Sequence, residues 1–321
     1  MNSCNLNSLT RICFQITSSE AIIMEGPFEK VSDVYEGCVV LVTPFRKLSI
    51  LSPATVEIHK LERHCETNLT LTKRETMPFT EYEQIFKEFS RYLNSGQLKK
   101  VVITVCETGT YDFINPLTPY ASFDDRLFFM IESSDFVFFG LTPDKFMESV
   151  SENDHNLYVV AGTSTDPQAV PETEIGCSTD FYKERLPSIR SIKRKIVKAG
   201  KIFHLQNVIN FRSHFNYGEF LTHLYPPSTI FGDPFELTQD LKSKLNPVRF
   251  PWGVLLGYRG VLSDDLVFRS IICIRGILLA PEGYYIIAGS GVLPFSDPLK
   301  EYEECLTKIE AVKASLNGNA E

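Results

Sequence analysis

Two acidic residues and a lysine near the end of the chain have a spacing that suits a charged binding site. Glu301, Glu304 and Lys308 lie three and four residues apart, so on a helix they would share one face. Two carboxylates near the start of a helix can hold a hard divalent cation through oxygen ligands. An exposed ion-pair helix of little energetic value is the alternative when this spacing is taken alone.

Further residues of interest lie just before that helix. Arg275 ends a β-like run, and Gly289 and Gly291 follow the next one. Glycine lets backbone N–H groups approach a carboxylate closely. A Gly-x-Gly on its own is a weak signal, so its meaning depends on the residues around it.

The elements that would position these residues are predicted from periodicity. Short β-rich runs fill residues 21–75, and helical spacing over 80–94, with Thr80 and Glu83 as a capping box, ends at Gly96 before a strand that begins at Lys100. The later predictions are a hairpin over 128–140, a strand over 157–161, helices over 180–200, 217–224, 234–245 and 298–316, and long β-runs between 253 and 288. Together they predict one α+β domain in which large antiparallel sheets are covered by helices.

Composition excludes several function classes. The chain of 321 residues has a formal net charge of -8, which would repel a phosphate backbone unless basic residues formed a patch. The densest basic run reads instead as the solvated face of an amphipathic helix: Arg190, Lys193, Arg194, Lys195 and Lys198. No signal peptide or membrane-spanning run is present, and the eight cysteines lack CxxC spacing. We therefore expect a cytoplasmic protein without nucleic-acid or membrane partners.

Taken in order, these residues resemble the chorismate-utilising enzymes, which include the isochorismate, anthranilate, aminodeoxychorismate and salicylate synthases. The family ends with an Ile-Arg strand, a Gly-Ala-Gly-Ile-Val turn and Ser-x-Pro-x-x-Glu-x-x-Glu-x-x-x-Lys. The matching residues here are Arg275, Ala288-Gly-Ser-Gly-Val292 and the segment from Ser296 to Lys308. Upstream matches are Gly96-Gln-Leu-Lys-Lys100, Gly140-Leu-Thr-Pro143-Asp144, Ala161-Gly162-Thr163, Gly232-Asp-Pro234 and Arg249-Phe-Pro-Trp252.

The resemblance implies a fold of large antiparallel sheets packed face to face and flanked by helices. Residues 1–75 would be its β-rich N-terminal portion, and residues 76–321 the chorismate-binding catalytic region. It also implies catalytic roles. Lys100 would be the general base that activates water to attack C2 of chorismate, and Asp144 the acid that protonates the departing C4 hydroxyl.

The remaining site residues follow from the same resemblance. Arg275 and the Gly289 backbone would hold the enolpyruvyl carboxylate. The other predicted substrate-binding residues are Gly162, Thr163, Trp252, Gly291 and Lys308. Mg²⁺ would be held by Glu301, Glu304 and a residue of the degraded segment Ser178 to Arg185, where Asp180, Lys183 and Glu184 are alternatives. We favour Glu184, because that register places Ile192 on the apolar face of the predicted helix.

Lys100 together with Ala161 favours water over ammonia as the nucleophile, so the resemblance predicts an isochorismate synthase, an isomerase that would feed menaquinone or siderophore biosynthesis. Anthranilate or salicylate synthase activity is the alternative. A chorismate-binding homologue without turnover is another, because Asp144 stands for a longer glutamate. Tyr225 and Trp252 replace a family histidine and tyrosine. We expect a monomer or homodimer without an amidotransferase domain in the chain.

Overall fold

Two antiparallel sheets and four helices make up the part of the chain that the computed structural model describes. That part comprises residues 8–61, 69–113, 120, 125–151, 153–164, 182, 186, 188–199, 202–212, 216–249, 251–262 and 265–316. The strands are β1 (Leu9–Gln15), β2 (Glu20–Glu25), β3 (Glu29–Lys30), β4 (Cys38–Val42), β5 (Leu48–Ser52), β6 (Thr55–Lys60), β7 (Leu69–Thr76), β8 (Lys100–Phe113), β9 (Leu127–Ser133), β10 (Val137–Thr142), β11 (Lys145–Ser149), β12 (Asp154–Ser164), β13 (Ile189–Ala199), β14 (Ile202–Arg212), β15 (Gly232–Asp233), β16 (Val254–Leu262), β17 (Asp265–Cys273), β18 (Gly276–Ala280) and β19 (Gly283–Val292). The helices are α1 (Phe79–Asn94), α2 (Tyr217–Leu224), α3 (Phe235–Leu245) and α4 (Pro298–Leu316).

The first sheet has ten strands in the order β15-β8-β19-β18-β10-β9-β1-β2-β6, with β7 also paired to β8. The second has nine, in the order β13-β14-β12-β11-β17-β16-β4-β5-β3. Apolar side chains of both sheets share buried clusters: Phe129 and Phe138 of the first sheet pack with Leu256 and Ile271 of the second. Burial of these faces is the main stabilising force between the sheets. The predicted α+β fold is confirmed.

Helices α1 and α4 cover the other face of the first sheet. In α1 the residues at helical spacing, Tyr82, Phe86, Phe89 and Leu93, are buried, as the periodicity predicts. They join Ile309 and other residues of α4 in one cluster. The predicted capping box is wrong, because the N-cap of α1 is a proline and no side chain caps the helix. No helix in the described ranges is long and apolar enough to cross a membrane.

Residues 189–199 contradict the sequence prediction, since they form strand β13 where a helix over 180–200 was expected. The strand lies at the edge of the second sheet and pairs with β14. Ile192 and Ile196 are exposed, so no buried apolar helix face exists, although Lys193 and Lys195 are exposed as predicted. β-Branched residues favour a strand, and charged residues suit an unpaired sheet edge.

Two of the places where the chain crosses from one sheet to the other lie side by side. Pro143 and Asp144 connect β10 of the first sheet to β11 of the second, and Ile274 and Arg275 connect β17 back to β18. Ile272 N donates to Asp144 O at 2.9 Å, which ties the two crossings together. Polar side chains are therefore carried into the interior where the sheets exchange strands.

Candidate active site

A cavity bordered by strands of both sheets gathers most of the predicted site residues. The space between its lining residues, including the open mouth, is about 570 Å³. The predicted residues that line it are Lys100, Asp144, Gly162, Thr163, Trp252, Arg275, Gly289, Gly291 and Lys308. Apolar neighbours such as Val102 and Ile287 complete the wall.

The paired crossings bring Asp144 and Arg275 into this cavity. Arg275 has a φ of 59°, an uncommon backbone conformation for a residue other than glycine. Gly140 makes the close approach of the crossings possible, since a Cβ at this position would lie 2.4 Å from Arg275 O. Two segments that are far apart in sequence thus place a carboxyl and a guanidinium on one cavity wall.

His204 of β14 lies between these two side chains, and the sequence analysis did not predict its involvement. Its Nε2 is 3.3 Å from Arg275 Nη2, and its Nδ1 is 3.1 Å from Asp144 Oδ1. The second pair is close without the alignment of a regular hydrogen bond. Because a guanidinium can only donate, Nε2 is the acceptor and a neutral ring carries its proton on Nδ1. That proton then faces the carboxyl of Asp144.

Burial determines the charge of this group. His204 and Asp144 are 1% and 2% exposed. Burial lowers the pKa of His204 although the Asp144 carboxyl opposes the change. It also lowers the pKa of Arg275 to about 10, against the effect of Asp144 and Glu304, so Arg275 remains cationic at neutral pH. His204 and Gln206 alternate on one face of β14, a polar pattern that could have pointed to this site from the sequence. Gln206 also contacts the site, since its Nε2 donates to Pro143 O at 3.2 Å.

His204 should make folding stability depend on pH. Because its pKa in the folded protein lies below the ordinary 6.5, the unfolded chain binds more protons as pH falls below that value, and stability is lost there. We expect His204→Asn to remove this component, so that between pH 6.5 and 5 the free energy of unfolding falls less steeply by up to about 1.4 kcal/mol per pH unit. Urea unfolding followed by circular dichroism measures it. The exposed His223, changed to Asn, is the matched control, and equal slopes for parent and His204→Asn would contradict the assignment.

Lys100 reaches the cavity from the first residue of β8. It is 2% exposed, whereas the side chain of the neighbouring Lys99 is 71% exposed and lies 3.5 Å from Asp233. Asp233 of β15 pairs with Lys100 along the backbone. Successive side chains of a strand point to opposite faces, so this register directs one lysine inward and the other to solvent.

Helix α4 contributes a buried cation and a carboxylate. Lys308 Nζ lies 2.5 Å from Glu304 Oε1 and donates to Gly289 O at 2.7 Å. Thr163 Oγ1 donates to the same Glu304 oxygen at 2.6 Å. Burial would raise the pKa of Glu304, but Lys308, Thr163 and Arg275 together hold it below its ordinary value. Glu304 is therefore ionised and is linked to the cavity through two residues of its wall.

Glu301 lies one turn earlier and accepts a hydrogen bond from the Ser290 hydroxyl. Burial raises its pKa, Ser290 opposes the rise, and the charge of Glu304 adds to it. A cation beside both carboxylates would reverse that effect, and carboxylate oxygens are ligands that Mg²⁺ prefers, so this pair fits the ion.

Neither glutamate is among the residues lining the cavity, and the described residues include no group of three or more His, Cys, Asp or Glu that could hold a metal. Glu184, Asp180 and Lys183 lie outside the described residues.

Trp252 contributes an aromatic wall and a hydrogen-bond donor. It is the single tryptophan of the chain, lines the cavity and is buried. Its indole Nε1 has no hydrogen-bond partner within the described part of the chain. The neighbouring Tyr225 is buried and donates its hydroxyl hydrogen bond to Gly253 O. Fluorescence of Trp252 should therefore report a ligand in the cavity.

Residues 188–314 match the family model described as chorismate binding enzyme. This C-terminal part of the chain is similar to the chorismate-utilising enzymes. The fold of the chain is that of two solved structures. A putative 2,3-dihydroxybenzoate-specific isochorismate synthase from Bacillus anthracis has a TM-score of 0.76 and 18% identity, covering 98% of this chain and 97% of that one. MenF, the menaquinone-specific isochorismate synthase of Escherichia coli, has a TM-score of 0.74 and 14% identity, covering 98% and 92%.

A relative found by sequence carries the name of another synthase. Anthranilate synthase component 1 of Saccharolobus solfataricus is 23% identical over 273 residues, which cover 75% of this chain and 63% of that protein. The chain spans less than two thirds of the length of the curated relatives that it matches first. The predicted resemblance to the chorismate-utilising enzymes is thus confirmed, while the roles of the individual site residues stay predictions.

Proposed function

We propose that the chain converts chorismate to isochorismate. The observation that carries the proposal is the cavity in which Lys100 and Asp144 meet Arg275, because a base, an acid and a carboxylate-binding cation are the groups this reaction needs. Lys100 and Ala161 favour water over ammonia as nucleophile. The anthranilate enzymes of the family generally have glutamine at the position of Lys100, and the aminodeoxychorismate enzymes commonly have lysine at the position of Ala161.

The chemistry requires a neutral Lys100 and a protonated Asp144. The Lys100 amine takes a proton from water while the water oxygen bonds to C2 of the ring. The ring double bonds shift, and the C4 hydroxyl departs with a proton from Asp144. One water molecule enters and one leaves, so the product is an isomer of the substrate. Return of the proton from Lys100 to Asp144 through solvent restores the enzyme.

Binding of a dianionic substrate uses the cations of the site. Arg275 would hold the enolpyruvyl carboxylate, and Trp252 Nε1 offers a further donor on the cavity wall. Glu301 and Glu304, with Glu184, would hold Mg²⁺, whose charge would neutralise the ring carboxylate. Lys308 would keep Glu304 ionised and oriented.

The test is incubation of the purified protein with chorismate and Mg²⁺, followed by chromatography of the products. We expect isochorismate to form, and EDTA to lower the rate at least about 100-fold because the positive charge that would neutralise the ring carboxylate would be lost. Addition of excess Mg²⁺ after EDTA is the control and should restore the rate. Turnover that EDTA leaves unchanged would contradict the metal assignment.

The same chromatography separates two other functions. Anthranilate with ammonia, or salicylate with pyruvate, would assign the chain to another reaction of the family. A binding protein without turnover is favoured by Asp144, which is one methylene shorter than the family glutamate. Its signature would be a saturable Trp252 fluorescence response to chorismate with no loss of chorismate at high protein concentration.

A further inference from the structure

A lysine and an asparagine at the end of α3 are buried, and the proposed mechanism uses neither. Lys242 is 0% exposed and Asn246 is also buried. They lie four residues apart and therefore share one helix face. Lys242 Nζ donates to Val102 O at 2.5 Å and to Asn246 Oδ1 at 3.3 Å. Both side chains thus reach the strand that carries Lys100.

Their contacts fall in a gap along one edge of β8. Pairing with β7 ends at Glu107, followed by a bond from Met77 N to Cys106 O at 3.1 Å. At the other end, β15 pairs with Lys100 and the next residue, and Phe231 O accepts from Val102 N at 3.0 Å. Between these contacts, the described residues provide no strand for this edge.

The side chains from α3 fill that gap as a neighbouring strand would. Thr104 N donates to Asn246 Oδ1 at 2.8 Å, and Asn246 Nδ2 donates to Thr104 O at 3.0 Å. The amide group of Asn246 therefore pairs with both backbone groups of Thr104. Lys242 satisfies the carbonyl of Val102, which precedes Thr104 by two residues on the same edge. An unsatisfied carbonyl in this interior would be costly.

We propose that Lys242 and Asn246 are positioning residues that hold the edge of β8 and thereby set the place of the Lys100 amine in the cavity. The inference rests on the proposed function of Lys100 as general base. Lys100 and Val102 are two residues apart, so their side chains lie on the same face of β8, and both line the cavity. A displacement of the Val102 carbonyl would therefore also displace Lys100, which lies two residues earlier on the same strand.

The surroundings of Lys242 show that the lysine is present for its hydrogen bonds. Burial lowers its pKa to about 7, and the thiol of Cys305 on α4 acts in the opposite direction. The ring of Phe231 is a further neighbour, with its centroid 5.9 Å from Lys242 Nζ. Methionine has similar length and would suit this apolar site better. What it would lack is the bond to Val102 O.

The experiment compares Lys242→Met and Asn246→Asp with the parent protein. We expect each variant to lower kcat for chorismate about 10- to 100-fold per folded molecule, with KM changed less than about twofold, because the substrate cations are untouched. The matched control is Lys244→Met on the same helix, an exposed lysine paired with Asp240, which should keep the parent values. The pH profile of kcat should also shift in Lys242→Met, a change that loss of stability alone would not cause.

A readout without turnover separates this inference from the proposed function. Isotope-labelled lysine NMR follows the titration of Lys100, whose signal is assigned by its loss in Lys100→Ala. If the parent converts chorismate and both variants keep its kcat and pH profile, the positioning role is wrong and the function stands. If the parent converts nothing, the function fails, and the titration decides: a shifted Lys100 signal in the variants supports positioning, and an unchanged one overturns it. Should Lys242→Met not fold, Asn246→Asp decides by the same measurements.

Discussion

Lys100→Ala is expected to lower kcat for chorismate conversion by about 100- to 10,000-fold, the usual contribution of a positioned general base. The amine is the basic group on the cavity wall from β8, and alanine leaves water without a proton acceptor there. Arg275 and Lys308 remain to hold the substrate, so the affinity for chorismate should change little. Steady-state rates by chromatography measure the first effect, and titration of Trp252 fluorescence measures the second.

Lys99→Ala is the matched control for that prediction. Lys99 directly precedes the strand and its side chain is exposed, where an ion pair with Asp233 contributes little. We expect the parent rate and affinity. If Lys99→Ala loses as much activity as Lys100→Ala, the effect comes from the strand and not from the buried amine. If Lys100→Ala retains the parent rate, the assigned base is wrong.

The sequence predicted those parts of the fold that local periodicity determines. The apolar spacing of Tyr82, Phe86 and Phe89 defines α1 because only one helix face is buried. The long apolar runs after residue 253 became central strands of both sheets, because a strand that is buried on both faces is apolar at nearly every position. Arg275 was recognised as the end of such a run. That its run passes beside Asp144 could not be predicted, because strand order depends on pairing across more than a hundred residues.

The missed features share a physical cause. The charged residues of 189–199 are exposed whether the segment is a helix or an edge strand, so their solvation did not distinguish the two. His204 and Lys242 were missed because a single buried polar residue becomes visible only through its partners. Their partners, Asp144 and Val102, lie far away in the sequence. Family motifs identified the cavity wall but gave no information about the residues behind it.

Asp144 stands where the family has a glutamate that is one methylene longer. Its replacement is expected to cause the second large loss of kcat. We expect Asp144→Asn to lower kcat by about 100- to 10,000-fold, because the amide keeps the shape of the carboxyl but cannot protonate the departing hydroxyl. The position beside His204 Nδ1, 3.1 Å away, allows either side chain to stay in place. Rates by chromatography, with Trp252 fluorescence to confirm binding, measure the change.

Two further variants make that prediction specific to the proton. Asp144→Glu keeps an acid that reaches about 1 Å further, so kcat should fall by no more than about 100-fold, the cost that a displacement of this size can have, and should stay above that of Asp144→Asn. Asp135→Asn, in the exposed turn at the other end of β10, should leave the rate unchanged. A higher kcat for Asp144→Glu than for Asp144→Asn would tie the activity to a transferable proton. Equal rates for Asp144→Asn and the parent would instead remove Asp144 from the reaction.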